Sequence, residues 1–365
     1  MPEPLKNLFN RPYFESLADS IRFVYPDFDR SSFLKSVFDQ SWDALALKER
    51  MHHATRCLHQ YLPHAYPEAI IILKKSITRL KHHGFADMVF SDYVAIYGLQ
   101  HWDISIPALE FFTQYMSAEF AVRHFLLKDL ERMMAQMLVW AKHDSHHVRR
   151  LATEGCRPRL PWGLSVPALK KDPSPIIPVL EILKNDPNDN VRHCVANNLN
   201  DISHDHPPIT LKIIKQWLDE DIQDFDYIRR RALRTLIKQG HPDALALLGF
   251  SANPDIQISD LTGLPEEIRV GQKFYFSFTI TSTSDRPQDL MIDYIIHHQR
   301  ANGQLIPKVF KLSMKTIKPS ASLNIKKQHS FQEVTTRRYY PGIHKLEIQI
   351  NGKNFIQKEF ILNDK

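Results

Sequence analysis

Apolar residues recur every three or four positions through residues 1 to about 250, in segments of 10 to 18 residues punctuated by proline and turn residues. That period predicts helices. In PSPIIPVLEILKN, Ser174 stands where a helix cap is expected and Pro175 at the first helical position. HPPITLKIIKQWLDE repeats the device with Pro207 and Pro208. From Asp255 onward the pattern changes. KFYFSFTITSTS, LMIDYIIHHQ, KVFKLSMKTI, SLNIKKQHSF, HKLEIQI and NFIQKEFIL are short and rich in β-branched and aromatic residues, which predicts strands. Asn351-Gly352 between the last two runs is a type I′ hairpin signal. About seven strands in this space predict an immunoglobulin-like sandwich. The fold class expected is mainly α: a helical domain over residues 1–250, then an all-β domain over 251–365, with GFSANPDIQ at the boundary.

The helical part repeats itself. DSHHVRRLATEGC, NDNVRHCVANNLN and DFDYIRRRALRTL align so that Val148, Val191 and Ile228 open equivalent helices, 43 and 37 residues apart. Arg149, Arg192 and Arg229 follow them, and Cys156, Leu199 and Leu236 fall eight residues after the starts. AEFAVRHFLLKDL, with Val122 and Arg123, reads as an earlier copy placed only 26 residues before the next. A period near 40 with paired helices predicts a HEAT-like solenoid. Its second helices would line one face and carry the repeated arginines.

Charge and composition narrow the function classes. The 365 residues carry a formal charge of +6. Residues 251–365 hold 16 Lys+Arg against 11 Asp+Glu, so most of the excess sits there. The mild basicity is compatible with nucleic acid. Three cysteines without a CxxC pair suggest a reducing cytosol. The N-terminus reads as neither signal nor transit peptide, and no apolar run is long enough to span a membrane. A cytosolic protein with no membrane partner is expected.

Candidate chemistry concentrates around LATEGCRPRLPWG. Arg149, Arg150, Arg157, Arg159, Arg192 and Arg230 recur at related places, and a stripe of this kind suits a phosphate backbone. Arginines here could equally bond neighbouring repeats. Glu154 replaces the polar Asn197 of the next copy, Asp201 ends that next helix, and Glu119 opens the earlier one. Acids inside a basic groove could stabilise positive charge at a sugar carbon and orient water. They could also be an N-terminal helix charge and a turn aspartate. Trp162, in a proline-rich loop, could pack on a sugar or base face, or plug an apolar surface. Histidine pairs abound, but no metal-ligand spacing appears, and neither a Walker loop nor a dinucleotide fingerprint is present, so no metal or cofactor is expected.

SAEFAVRHFLLKD, HVRRLATEGCRPRLPW and VRHCVANNLNDISHDHP resemble the AlkC branch of the AlkC/AlkD-type alkylation-repair DNA glycosylases. The resemblance extends to LKNLFN, LALKERMHH and the β tail with TTRRYYPGIHKLEIQING, whereas AlkD ends with its helical repeats. It implies a solenoid that clasps duplex DNA and removes bases alkylated at a ring nitrogen, typically 3-methyladenine and 3-methylcytosine, without a deep base-flipping pocket. It implies catalytic roles for Glu154, Asp201 and Glu119, and DNA contacts by Arg157 and Arg159. The enzyme expected is a monofunctional hydrolase acting as a monomer, its basic β domain closing on the duplex through Lys326-Lys327 and Arg337-Arg338. Two other classes stay open: a non-catalytic HEAT scaffold binding damaged DNA or a protein, and a metal-dependent hydrolase using the histidine pairs.

Overall fold

A computed structural model describes residues 3–333 and 338–364, so Arg337 lies outside the described residues. The chain forms two compact units, Met1–Asp205 with Ile222–Ile228, and His206–Asp221 with Arg229–Lys365. The change of texture at residue 251 falls inside the second unit, which also takes in the helix Pro207–Trp217.

The first unit is a two-row stack of helix pairs. Its second helices are α1 (Leu47–Tyr61), α2 (Met88–Tyr97), α3 (Val122–Lys128), α4 (His146–Gly155) and α5 (Asp189–Asp205). α1 packs on α2, α2 on α3, and α4 on α5. Their partners form the other row, in which Tyr66–Ile77 packs against both Arg11–Val24 and Trp102–Phe112. The apolar positions explain the stacking: Val148, Leu151 and Ala152 of α4 and Val191, Val195 and Leu199 of α5 are all buried. At Gly155 a Cβ would come within 2.6 Å of Val122 Cγ2, so glycine lets α4 lie close against α3. The repeat register is physical, since Val122, Val148 and Val191 each fall at the start of a second helix. One expectation is corrected. Asp172, rather than Ser174, supplies the capping oxygen, accepting from Ser174 N at 2.9 Å, and a 3-10 turn over Ser174–Ile176 precedes the helix Ile177–Leu183.

Among the described residues the second unit carries eight strands: β1 (Ile256–Ile258), β2 (Glu267–Arg269), β3 (Lys273–Ser282), β4 (Gln288–Gln299), β5 (Leu305–Ile317), β6 (Ser322–Ser330), β7 (Gly342–Ile350) and β8 (Lys353–Asn363). They make a three-stranded sheet, β1-β3-β6, and a five-stranded sheet, β2-β8-β7-β4-β5. Alternate residues build the core between them: Phe274, Phe276 and Phe278 from β3, Ile292 and Tyr294 from β4, Leu346 and Ile348 from β7. The β7–β8 turn has φ of 48° at Asn351 and 76° at Gly352, the two positive values a type I′ turn requires.

This core contains a histidine. His329 Nδ1 lies 3.0 Å from Tyr294 Oη, and its Nε2 is buried without a partner. Burial first, and Lys327 second, push its pKa down to about 4, while burial also lowers that of His344. The folded state therefore resists a proton that the unfolded chain accepts near pH 6.5. Stability should be full above that pH, fall as the pH drops towards 4, and level off below it. Thermal unfolding followed between pH 7.5 and 4 checks this. His329→Gln, which keeps a polar partner for Tyr294, should flatten the slope, and an unchanged slope would refute the assignment.

Candidate active site

The segment Cys156–Val166 is an insertion after a second helix. It accounts for the unequal repeat spacing, since α3 and α4 are joined by one helix, Leu130–Trp140, whereas α4 and α5 are joined by this loop and two short helices. A buried arginine organises it. Arg123 Nη1 donates to the carbonyls of Gly155 and Arg157, both at 2.9 Å, and its Nε donates to Leu164 O. Burial holds the Arg123 pKa down to about 10. With three carbonyls fixed on one guanidinium, the loop cannot drift from the end of α4.

That anchoring places Arg157 between two acids. Its Nε and Nη2 donate to Asp201 at 2.8 and 3.1 Å, and its Nη1 donates to Glu154 Oε1 at 2.6 Å. All three side chains are buried. Burial alone would lower the Arg157 pKa, but the two carboxylates outweigh it and hold the guanidinium above its ordinary value. Burial also pushes the Asp201 carboxyl up, Arg157 opposing it and Glu154 adding to it. Glu154 Oε2 is buried without a nitrogen or oxygen donor. The neighbouring Cys194 thiol is pushed up by burial and then by Glu154, and so stays protonated.

Glu119 joins from the segment before α3. Its Oε2 accepts from Ser117 Oγ at 2.8 Å and from Arg150 Nη2 at 3.0 Å. Glu119, Arg150, Glu154, Arg157 and Trp162 line one cleft of 540 Å³ whose opposite wall includes Phe85, Met88 and Phe120. Asp201 stands behind Arg157 rather than on the cleft surface. Trp162 is 59% exposed and has φ of 62°, a left-handed backbone that a bulky residue rarely adopts. Such a conformation costs on the order of 1–3 kcal/mol and persists only where its surroundings enforce it. The charged side chains gathered here are three carboxylates, Glu119, Glu154 and Asp201, and three guanidiniums, Arg123, Arg150 and Arg157.

The arginines divide in a way the sequence pattern did not separate. Arg149 is spent on Asp186, at 2.6 and 3.0 Å, and on the carbonyls of His143 and Asp144. Arg192, which is buried, donates to Asp186 O at 2.6 Å and pairs with Asp224. Together with Arg157, these two, expected to contact phosphate, have their donors engaged within the chain. Their donors close turns and join one repeat to the next. Arg150 and Arg159 remain partly exposed, Arg159 pairing with Asp205 at 2.6 Å. Arg230 belongs to the second unit, where its Nη1 lies 3.6 Å from Met314 Sδ. Arg123 was visible only as a member of the repeat register, and Asp186 and Asp224 carried no separate signal. His146 and His147 stack at 4.0 Å beside the cleft, but among the described residues no group of three potential ligands is placed to hold a metal. No helix of the described residues is long and apolar enough to cross a membrane.

A solved structure of the Pseudomonas fluorescens alkylpurine DNA glycosylase AlkC, bound to DNA containing an abasic site analog, superposes on this chain with a TM-score of 0.93. The two are 38% identical, over 99% of this chain and 100% of the other. The chain belongs to the AlkC family. A second relative, the protein YhaZ of Bacillus subtilis (strain 168), is 46% identical over 96% of both chains. Residues 257–364 match a family model described as the C-terminal Ig-like domain of YhaZ. In this AlkC relative, then, the helical repeats and the β-sandwich are two parts of one full-length likeness.

Removing Arg157 would leave Asp201 buried without its counter-charge, which raises its pKa further. Arg157→Gln should therefore lower base release from methylated DNA. It should also move the rising limb of the pH–rate profile to higher pH, because Asp201 ionises later. A loss of rate with an unmoved profile would contradict this electrostatic role.

Proposed function

We propose that this chain is a monofunctional DNA glycosylase that excises cationic N3-alkylated bases, 3-methyladenine and 3-methylcytosine, from duplex DNA. Its likeness to AlkC along the whole chain supports the reaction class. The observation that carries the mechanism is the Glu154 carboxylate, held by Arg157 and lining the cleft beside Glu119 and Arg150.

A base methylated at N3 already carries positive charge. When its glycosidic bond breaks, the bonding pair passes to the base and neutralises it, so no general acid is needed. The positive charge appears instead on the deoxyribose. Glu154, on the cleft wall, stabilises that cation with its carboxylate, and Asp201 supports it through Arg157. Water then adds to the anomeric carbon and gives its proton to Glu154. Glu119 holds Arg150 at the cleft rim. Arg150, Arg159 and Trp162, the exposed members, make the DNA contacts, with Trp162 on a sugar or base face. Selectivity follows from the lability of the charged lesion more than from a shaped base pocket.

Glu154→Gln and Asp201→Asn should each lower single-turnover release of 3-methyladenine, Glu154→Gln by about 100-fold or more, while duplex binding changes little. Base release from a panel of N3-, N1- and N7-methylated substrates checks both the roles and the preference. Release at the parent rate by both variants would remove the carboxylates from the mechanism. Binding by the parent chain without any release would favour the scaffold reading.

A further inference from the structure

Trp162 needs something to hold it. Its backbone is left-handed, its indole is exposed, and Arg123 fixes the loop only at Gly155, Arg157 and Leu164. Arg157 and Arg159 pair with Asp201 and Asp205, and Gly163 N closes a turn on Leu160 O, while a further contact, to Trp162 itself, comes from a distant helix. Lys48 Nζ donates to Trp162 O at 3.1 Å across 114 residues of chain, and the same ammonium lies 5.4 Å from the ring centroid of Phe120. Trp162 and Phe120 both line the cleft that holds Glu154. Lys48 sits at the second residue of α1, in the first turn. A cation is disfavoured there by the exposed N–H groups and the helix dipole, so helix formation does not account for its place. Its side chain is half-buried, and its charge is directed at one carbonyl and one aromatic face.

We propose that Lys48 is a positioning residue for the excision reaction. It ties the Trp162 carbonyl and the Phe120 ring together, fixing both lips of the cleft, and it acts on DNA through Trp162 rather than by touching phosphate. The proposal rests on the reading of Trp162 as a DNA contact. Lys48 has no part in bond breaking. Its removal leaves the acid cluster bonded as before and frees the tryptophan to sample other backbone conformations.

The test is a double-mutant cycle of Lys48→Met and Trp162→Ala in the full chain, with Lys48→Arg as the conservative variant. Acrylamide quenching of tryptophan fluorescence without DNA reports on the loop, and single-turnover excision across a concentration series separates binding from chemistry. Lys48→Met should raise quenching only where Trp162 is present. It should weaken binding of methylated duplex about threefold or more, leave the saturating rate nearly unchanged, and add nothing to Trp162→Ala. Lys48→Arg should restore part of the binding. Additive losses with a shallower salt dependence would overturn the proposal in favour of a direct phosphate contact. Unchanged quenching would overturn it as well, because the loop would then be held without Lys48. If Trp162→Ala alone left binding and excision intact, the reading of Trp162 would fail, while the quenching result would still decide whether Lys48 holds the loop.

Discussion

One buried guanidinium sets the terms for the rest of the site. Arg157 lies between Glu154 and Asp201 with every one of its donor-bearing nitrogens engaged by a carboxylate. Dehydrating each of these three charges costs several kcal/mol, so the group is tolerable only as a group. Its geometry is held from behind, because Arg123 takes the Arg157 carbonyl as well as that of Gly155. Within it two acids share the Arg157 guanidinium, and of the two it is Glu154 that lies on the cleft wall. A positive charge generated in the cleft would complete the cluster.

The same device, used without an excess acid, builds the frame. Arg123, Arg149, Arg192 and Arg229 occupy one register position, and each donates to backbone carbonyls of a turn. Arg149 and Arg192 add an aspartate from the following repeat. The repeats are thus stapled at turns where carbonyls would otherwise lack donors. A loop inserted between two such staples can carry a strained tryptophan, since the helices on either side do not depend on it for packing.

Much of this was legible in the chain. Periods of three to four and of two separated helices from strands, Asn351-Gly352 marked its hairpin, and the Val-Arg register marked the repeats. Glu154 stood out because its repeat mate is Asn197. The division of labour among arginines was not legible. Arg149 and Arg150 are adjacent on α4, and consecutive helical residues point about 100° apart. One reaches into the turn and the other into the cleft, but nothing in the dipeptide says which. Lys48 was hidden for a different reason: its partner is a backbone carbonyl far along the chain, and a carbonyl has no sequence signature.

The partners of Glu154 are informative. One oxygen accepts from Arg157, and the neighbouring Cys194 thiol is only a weak donor to the carboxylate. A serine or asparagine in place of the thiol would bond the carboxylate more strongly, stabilising the resting protein and weakening the field left for a sugar cation. A weak donor keeps most of that field for the moment when charge develops. That is electrostatic preorganisation set against folding stability. The proposed reaction itself needs no general acid. The lesion arrives with its leaving group already cationic, so the protein has only to be negative in the right place.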